Sequence, residues 1–379
     1  MRYRLLAERL YPIVTSEGLW SSLRVGPASG ETYSCWRFAI ASPFGVIAAV
    51  QFRNFKALRS TGVKLAPFNL VLGPNGSGKT SLIQALLRLR ALAGLAPANE
   101  PPATDGGPRI DFAFTAPYQD IGVSLGCHAD ELVCNVLSVS RPPGPEGEAL
   151  WEKLRAKLRT IRAYLFDHYA MAVPAKPADS AELASNGGNL AAVLAVWREK
   201  HPDAYAALQA EFLRLMPEFG ALEVRAGAGG TVELGTRLKA NGHNFITADS
   251  LSQGTLYQIA LLVLAFTPAP PAVVCIEEAD RGMHPRSLRE VRDTLYRLSY
   301  PQDLGMQRAP VQVITTTHSP YLLDQFREQP QEVILASKQG QAATFERLSD
   351  RTDILELMKE AHLGDLWYSG ILGGIPGET

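Results

Sequence analysis

Short apolar runs that end at glycine or at charged residues recur along this chain and predict β-strands. Continuous apolar runs precede Gly73 and Glu277, which is typical of strands buried on both faces, and a further buried strand is predicted at 311–317, before His318. A strand at 46–55 and a second strand that ends at Gly73 are predicted upstream of the first helix. Further strands are predicted at 110–115, 122–127 and 132–140, with hairpins at 222–238 and 332–348.

Apolar residues at helical spacing predict helices between these strands. The spacing from 82 to 87 predicts a helix that begins near Gly78 and ends near Gly94. Residues 97–108 are rich in proline and glycine and predict a surface loop. From 148 to 219 the composition is helical, and one helix is predicted from the spacing of Leu154, Leu158, Ile161 and Leu165.

Composition limits the choice of partners. The 379 residues are 46% hydrophobic and carry a net charge of -1, which disfavours a protein that coats nucleic acid with a basic surface. No apolar run reaches the roughly 18 residues that span a membrane, and the N-terminus lacks a signal pattern, so we expect a cytoplasmic protein without a membrane partner. One basic run forms either a solvated helix face or a nucleic-acid contact; it comprises Arg155, Lys157, Arg159 and Arg162.

The cysteines favour free thiols over a metal site. The four of them form no C-x-x-C pair, as expected in a reducing compartment. Cys127, His128 and Cys134 could each bind zinc, but no fourth ligand lies nearby, so a metal site is the less favoured interpretation.

The stretch 73–80 carries the most specific chemistry in the chain. It reads Gly-Pro-Asn-Gly-Ser-Gly-Lys-Thr and fits the pattern G-x-x-x-x-G-K-S/T between a predicted strand and a predicted helix. Its glycines let successive backbone N–H groups turn towards an anion, and the helix start adds its dipole. Lys79 would reach the β and γ phosphates of ATP, and the Thr80 hydroxyl would hold Mg²⁺. The predicted nucleotide-binding residues here are Gly73, Pro74, Asn75, Gly76, Ser77, Gly78, Lys79, Thr80 and Ser81.

A second phosphate-binding segment is predicted at Leu251-Ser252-Gln253-Gly254-Thr255. It resembles the Leu-Ser-Gly-Gly-Gln signature of ABC-type ATPases, although Gln253 and Thr255 depart from it. Ser252 is a good helix N-cap, and Gly254 allows the backbone to approach an anion closely. Both are therefore candidate nucleotide contacts.

Two further segments resemble the Walker B strand and the switch histidine of the same ATPases. The strand at 272–276 ends in Glu277 and Glu278. The resemblance implies that Glu277 holds the magnesium ion through a water and that Glu278 polarises the attacking water. His318, in Thr-His-Ser-Pro after another strand predicted to be buried, would touch the γ-phosphate. The predicted catalytic residues are Lys79, Glu278 and His318. The predicted metal ligands are Thr80 and Glu277.

Two further similarities indicate which group of ABC-type ATPases the chain resembles. Residues 279–285 read Ala-Asp-Arg-Gly-Met-His-Pro and resemble the turn after the paired acids in the RecF, SMC and overcoming-lysogenization-defect group, which would place Asp280 and His284 near a dimer seam. Arg53-Asn54-Phe55-Lys56 resembles the first strand of these heads, which makes Lys56 a candidate nucleotide contact. Gln119 is a weak candidate for the glutamine loop.

The chain as a whole resembles a stand-alone ABC-type ATPase head of that group over residues 46–348. The resemblance implies an α/β P-loop NTPase with a mixed central sheet, an antiparallel β-subdomain and a helical lobe insertion. The expected parts are an N-terminal extension at 1–45, an ATP-binding lobe at 46–147, the helical insertion at 148–221, a signature and Walker B lobe at 222–348 and a tail at 349–379.

The resemblance also implies a head-to-tail homodimer. In such a dimer each ATP lies between Lys79 of one subunit and Ser252 of the other, so ATP closes the dimer and hydrolysis opens it. Three uses of this switch compete. The favoured one is control of a separately encoded effector in bacterial anti-phage defence. The alternative is a RecF-like repair ATPase that binds DNA, and a transporter subunit fits least.

Overall fold

The computed structural model describes residues 45–97, 107–126, 135–177, 182–240 and 244–373. These residues belong to one compact unit. The predicted extension before Gly45 lies outside the described residues, as do the candidate zinc ligands Cys127, His128 and Cys134 and most of the loop 97–108. The predicted divisions at 147, 221 and 348 remain predictions.

A six-stranded mixed sheet forms the centre, in the order β14-β13-β3-β12-β11-β7. Its strands are β3 (Phe68–Leu72), β7 (Arg162–Tyr164), β11 (Val273–Ile276), β12 (Gln312–Thr317), β13 (Val333–Gln339) and β14 (Ala342–Arg347). All neighbouring pairs are parallel except β13 with β14. Because the carboxyl ends of parallel strands meet at one edge, the segments after β3, β11 and β12 are brought together there.

The central strands are apolar because both of their faces are buried. Successive residues of β3 alternate between two cores: Leu70 and Leu72 belong to one, and Val71 belongs to the other. The same alternation separates Val274 from Cys275 in β11. The continuous apolar runs of the sequence therefore predicted these strands correctly.

One core lies between the central sheet and an antiparallel sheet of order β2-β1-β4-β5-β6. That sheet consists of β1 (Ile47–Phe55), β2 (Leu58–Lys64), β4 (Arg109–Phe114), β5 (Gly122–Gly126) and β6 (Val136–Ser140). Helices α1 (Lys79–Leu92) and α2 (Pro145–Leu158) contribute their apolar faces to this core. The buried Gln312 side chain joins the sheets, because it bonds to the backbone of residues 46, 47 and 66.

The second core lies on the opposite face of the central sheet. It contains residues of a small sheet of order β10-β9-β8 and of several helices. These elements are α3 (His168–Ala172), α4 (Leu190–Lys200), α5 (Pro202–Leu215), β8 (Phe219–Ala226), β9 (Val232–Leu238), β10 (Phe245–Thr247), α6 (Gln253–Phe266), α7 (Leu288–Ser299), α8 (Pro320–Asp324), α9 (Ile354–Glu360) and α10 (Leu363–Tyr368). The hairpins predicted at 222–238 and 332–348 are confirmed as β8–β9 and β13–β14.

Two local predictions are wrong. The helix predicted through Leu165 ends at Leu158, and Arg162–Tyr164 forms the edge strand β7, paired with β11. Pairing with β11 outweighs the helical spacing of the apolar residues, as tertiary contacts often do. The single strand predicted before Gly73 is two strands, β2 and β3, separated at residues 65–67.

Among the described residues, no helix is both long and apolar enough to cross a membrane.

Candidate functional site

The glycines of the 73–80 loop occupy positions that other residues would not tolerate. Gly76 and Gly78 have φ angles of 77° and 92°, in the left-handed region that favours glycine. A Cβ on Gly73 would collide with the carbonyl oxygen of Ala336. Asn75 and Gly76 are exposed at the tip of the loop, between the half-buried Pro74 and the buried Ser77.

Lys79 begins α1 and is buried against the loop. Its ammonium donates hydrogen bonds to the carbonyl oxygens of Gly73 at 2.7 Å and Pro74 at 2.8 Å. Burial lowers the pKa of Lys79 to about 8, and the attraction of Glu278 and Glu277 only partly offsets this loss of hydration. A phosphate would be a stronger partner for this ammonium than two neutral carbonyl groups.

The two predicted metal ligands are in contact. The Thr80 hydroxyl donates a hydrogen bond to Oε2 of Glu277 at 2.9 Å, although the residues lie 197 positions apart in the sequence. The N–H of Glu277 donates to the carbonyl oxygen of Tyr164 at 2.8 Å, so pairing with β7 fixes the position of this acid. A hydroxyl and a carboxylate side by side are the oxygen ligands that Mg²⁺ prefers.

Glu278 leaves the strand in an unusual conformation. Its φ is 51°, which is uncommon for a residue other than glycine. Its N–H donates to the Thr316 hydroxyl at 3.1 Å, and its carbonyl oxygen accepts a bond from the N–H of Arg281 at 2.9 Å. The half-exposed carboxylate lies 3.9 Å from the guanidinium of Arg281. Left-handed residues held this way often occur at functional sites.

His318 lies at the same edge of the sheet. Burial lowers the pKa of His318, as does the nearby charge of Lys79, while Glu278 acts in the opposite direction. The exposed His318 directly follows β12, which lies between β3 and β11, the strands that precede the phosphate loop and Glu277–Glu278. The structure thus brings Lys79, Glu278 and His318 together at the carboxyl edge of the central sheet.

The signature-like segment contacts the turn after the paired acids. Ser252 is exposed and caps α6, because its hydroxyl accepts a bond from the N–H of Thr255 at 3.1 Å. A Cβ on Gly254 would lie 2.9 Å from the carbonyl oxygen of Gly282. In the part of the chain that the structure describes, no hydrogen bond joins Ser252 to the 73–80 loop.

Three peripheral candidates differ in position. The Lys56 ammonium bonds to Gln84 of α1, one helical turn beyond Thr80, so it lies beside the start of that helix. Ser81 follows Thr80 in the first turn of the helix. Gln119 is exposed in the loop between β4 and β5, where its amide donates to Asp120 at 3.0 Å.

Sequence reasoning missed the support that Thr316 gives to Glu278. Thr316 lies in the run Thr315-Thr316-Thr317, which is polar although it ends a buried strand. Asp280 lies in the predicted turn and is largely buried, which raises the pKa of its carboxyl, and one of its oxygens has no hydrogen-bond partner among the described residues. Polar residues at the end of an apolar strand were the available signal.

Two residues of the basic run, Arg155 and Arg162, form hydrogen bonds within the chain. The Arg155 guanidinium bonds to the carbonyl oxygens of residues 93, 94 and 95. Arg162 forms a paired contact with the carboxylate of Glu182. For these two residues the structural interpretation is favoured over contact with nucleic acid.

These residues fit a nucleoside triphosphate and a divalent cation. The loop supplies backbone N–H groups and a lysine, and Thr80 with Glu277 supplies oxygen ligands. The buried Ser77 hydroxyl has no hydrogen-bond partner among the described residues, and a phosphate oxygen could provide one. A carboxylate and an imidazole beside this cradle are the groups needed to transfer a phosphoryl group to water.

Comparison with known proteins identifies the family of this chain and solved structures with a similar fold. A family model described as "AAA domain, putative AbiEii toxin, Type IV TA system" matches residues 68–324, more than half of the chain. The fold is similar to an SMC head bound to the C-winged helix domain of ScpA, with a TM-score of 0.54 and 14% identity over 79% of this chain and 96% of that one.

It is also similar to the SMC head domain with an extended coiled coil bound to the C-terminal domain of ScpA, from Pyrococcus furiosus. Here the TM-score is 0.52 and the identity 13%, over 83% of this chain and 99% of that one. No curated protein matches the chain. The predicted fold, a P-loop NTPase of the ABC-type head class found in the RecF and SMC group, is confirmed. The chain belongs to the family described as "AAA domain, putative AbiEii toxin, Type IV TA system".

Proposed function

We propose that this chain binds and hydrolyses ATP as one half of a head-to-tail dimer, and that the dimer controls a separately encoded effector in bacterial anti-phage defence. The observation that carries the proposal is the convergence of Lys79, the Thr80–Glu277 pair, Glu278 and His318 at one edge of the sheet. The family and the fold support ATP as the ligand.

Each residue has a distinct part in the proposed reaction. Lys79 and the backbone N–H groups of the loop bind the phosphates. Glu278 orients the attacking water and accepts its proton, and His318 donates a hydrogen bond to the γ-phosphate. Mg²⁺, held by Thr80 and Glu277, would neutralise charge that develops on the phosphates during transfer.

The position of the signature-like segment supports the dimer. Ser252 is exposed, and Gly254 packs on the chain's own turn at Gly282. A second copy placed head to tail would present this exposed helix start to the nucleotide bound by Lys79. ATP would then bridge two phosphate-binding surfaces, and loss of the γ-phosphate would remove the bridge.

Two observations support a partner protein. The family description contains the words "toxin" and "Type IV TA system", and the word "system" indicates more than one component. The two SMC heads compared above are each bound to a domain of ScpA. In this chain, α10 packs on α8, which follows His318, and leaves Tyr368 85% exposed. A protein that contacts α10 would therefore lie one helix away from the proposed γ-phosphate contact.

Substitution of Glu278 tests the hydrolytic step. Glu278→Gln removes the proton acceptor but keeps the shape of the side chain, so we expect phosphate release to fall at least 100-fold while ATP binding persists. The variant should accumulate as an ATP-bound dimer, which light scattering would detect. The exposed Glu199→Gln is the matched control and should behave like the wild type. Unchanged turnover in Glu278→Gln would contradict the assigned role.

A mixing experiment tests the shared pocket. Lys79→Ala and Ser252→Ala should each be inactive alone, because every pocket of either homodimer lacks one group. In a mixed head-to-tail dimer, one pocket combines the intact Lys79 of one chain with the intact Ser252 of the other. Mixing should therefore restore up to about half of the activity per mixed dimer. If mixing restores nothing while both variants dimerise, the pocket is not shared.

A further inference from the structure

The hairpin β13–β14 lies directly against the phosphate loop. The backbone of Ala336 in β13 occupies the space that a Cβ on Gly73 would need. On β14, the Cβ of Ala343 lies 3.5 Å from the position of a Cβ on Gly78. Ala336 and Ala343 are both buried in the core shared with α1. The loop therefore rests on one face of this hairpin.

Lys338 lies on the same face of the hairpin. It follows Ala336 by two residues in β13, and it pairs with Ala343 across the hairpin. Its ammonium lies 3.7 Å from the position that a Cβ on Gly76 would occupy. The side chain is exposed, and among the described residues no hydrogen bond or ion pair to it is found. An unpaired cation therefore lies against the tip of the loop.

We propose that Lys338 is a positioning residue for the nucleotide: its charge, placed behind Gly76, favours binding of the triphosphate and holds the tip of the loop. This inference rests on the proposed binding of ATP. A positive charge one layer of backbone away from the phosphates attracts them through space. The attraction grows with the charge of the ligand and weakens with salt, whereas packing alone would depend on neither.

The test measures binding of fluorescent ATP and ADP to the full chain with Lys338→Gln, Lys338→Arg and a control. For Lys338→Gln at low salt we expect a loss of ATP affinity of about fivefold, the order of magnitude that Coulomb's law gives for one charge acting on a phosphate through partly hydrated surroundings. ADP should lose about half as much on a logarithmic scale, and Lys338→Arg should recover most of the loss. In 0.5 M salt the difference from the wild type should fall to less than about twofold.

The control is Lys153→Gln, which removes the same charge from an exposed position of α2. The neighbouring Arg155 contacts residues 93–95, so Lys153 lies near the far end of the 14-residue helix α1, roughly 20 Å from the loop. We expect wild-type affinity for this variant. Failure of the wild type itself to bind ATP would overturn the proposed function.

Two other results overturn only the role of Lys338. One is equal affinity of Lys338→Gln and Lys153→Gln. The other is a loss of affinity that is the same for ATP and ADP, does not change with salt and accompanies a lower melting temperature. That pattern would mean that Lys338 stabilises the loop by packing and does not attract the phosphates by its charge.

Discussion

Glu332, which directly precedes β13, is a buried acid whose ionisation should make the stability of this protein depend on pH. It is 4% exposed, and its carboxylate accepts hydrogen bonds from the hydroxyl groups of Tyr296 and Tyr300. Burial raises the pKa of Glu332 from 4.5 to about 7, although these bonds and the charges of Arg347 and Arg292 act in the opposite direction. The perturbation that tests this is Glu332→Gln, which keeps the shape and removes the charge.

The size and sign of the effect follow from the two pKa values. Because the native pKa lies above the unfolded one, the stabilising contribution of Glu332 is complete below pH 4.5 and is lost as the pH rises to about 7. A difference of about 2.5 pH units corresponds to about 3 kcal/mol. Glu332→Gln does not titrate, and its amide matches the two tyrosine hydroxyls less well. We therefore expect the variant to be about 1 kcal/mol less stable than the wild type near pH 4.5 and about 2 kcal/mol more stable at pH 8.

The assay is urea unfolding at intervals from pH 4.5 to 8, with the free energy of unfolding compared between variant and wild type at each pH. The exposed Glu328→Gln, in the same segment, is the control and should give no pH-dependent difference. If Glu332→Gln is less stable than the wild type by a constant amount across this range, the reasoning is refuted. That result would mean that Glu332 is ionised and that its tyrosine hydrogen bonds outweigh its burial.

Two further substitutions test the supports of the site. Gln312→Leu would leave two backbone N–H groups at the start of β1 without their acceptor, so urea unfolding should show a loss of about 2–4 kcal/mol, against almost none for the exposed Gln302→Leu. Gly78→Ala adds a Cβ 2.7 Å from a methyl group of Leu58 at a φ of 92°, so it should destabilise the fold and weaken ATP binding at least tenfold. The control Gly305→Ala, at a φ of 72° with open space around it, should lower the free energy of unfolding by about 1 kcal/mol and leave ATP binding unchanged. If Gly78→Ala and Gly305→Ala bind ATP with equal affinity, the steric explanation for Gly78 is contradicted.

The strands around the phosphate loop were predictable because burial on both faces leaves continuous apolar runs in the sequence. The edge strand β7 was not predictable in the same way. Ile161 and Leu165 also fit a continuation of the helix that contains Leu158, and the local pattern does not distinguish the two structures. Pairing of Arg162–Tyr164 with β11, more than one hundred residues later, decides between them. The local pattern of apolar residues carries no information about a strand partner so far away in the sequence.

The same limit separates the parts of the site that motifs could predict from those that they could not. Lys79, Glu277 and His318 each follow a strand of the parallel sheet, so their proximity follows from topology alone. The contact between Lys338 and Gly76 instead depends on register, since Leu335 pairs with Leu72 where β13 meets β3. A shift of one residue in that pairing would turn Lys338 to the opposite face of the sheet and away from the loop. Residues that touch a ligand can therefore be predicted from local sequence, whereas residues that act on the loop from behind can be assigned only once the register of the sheet is known.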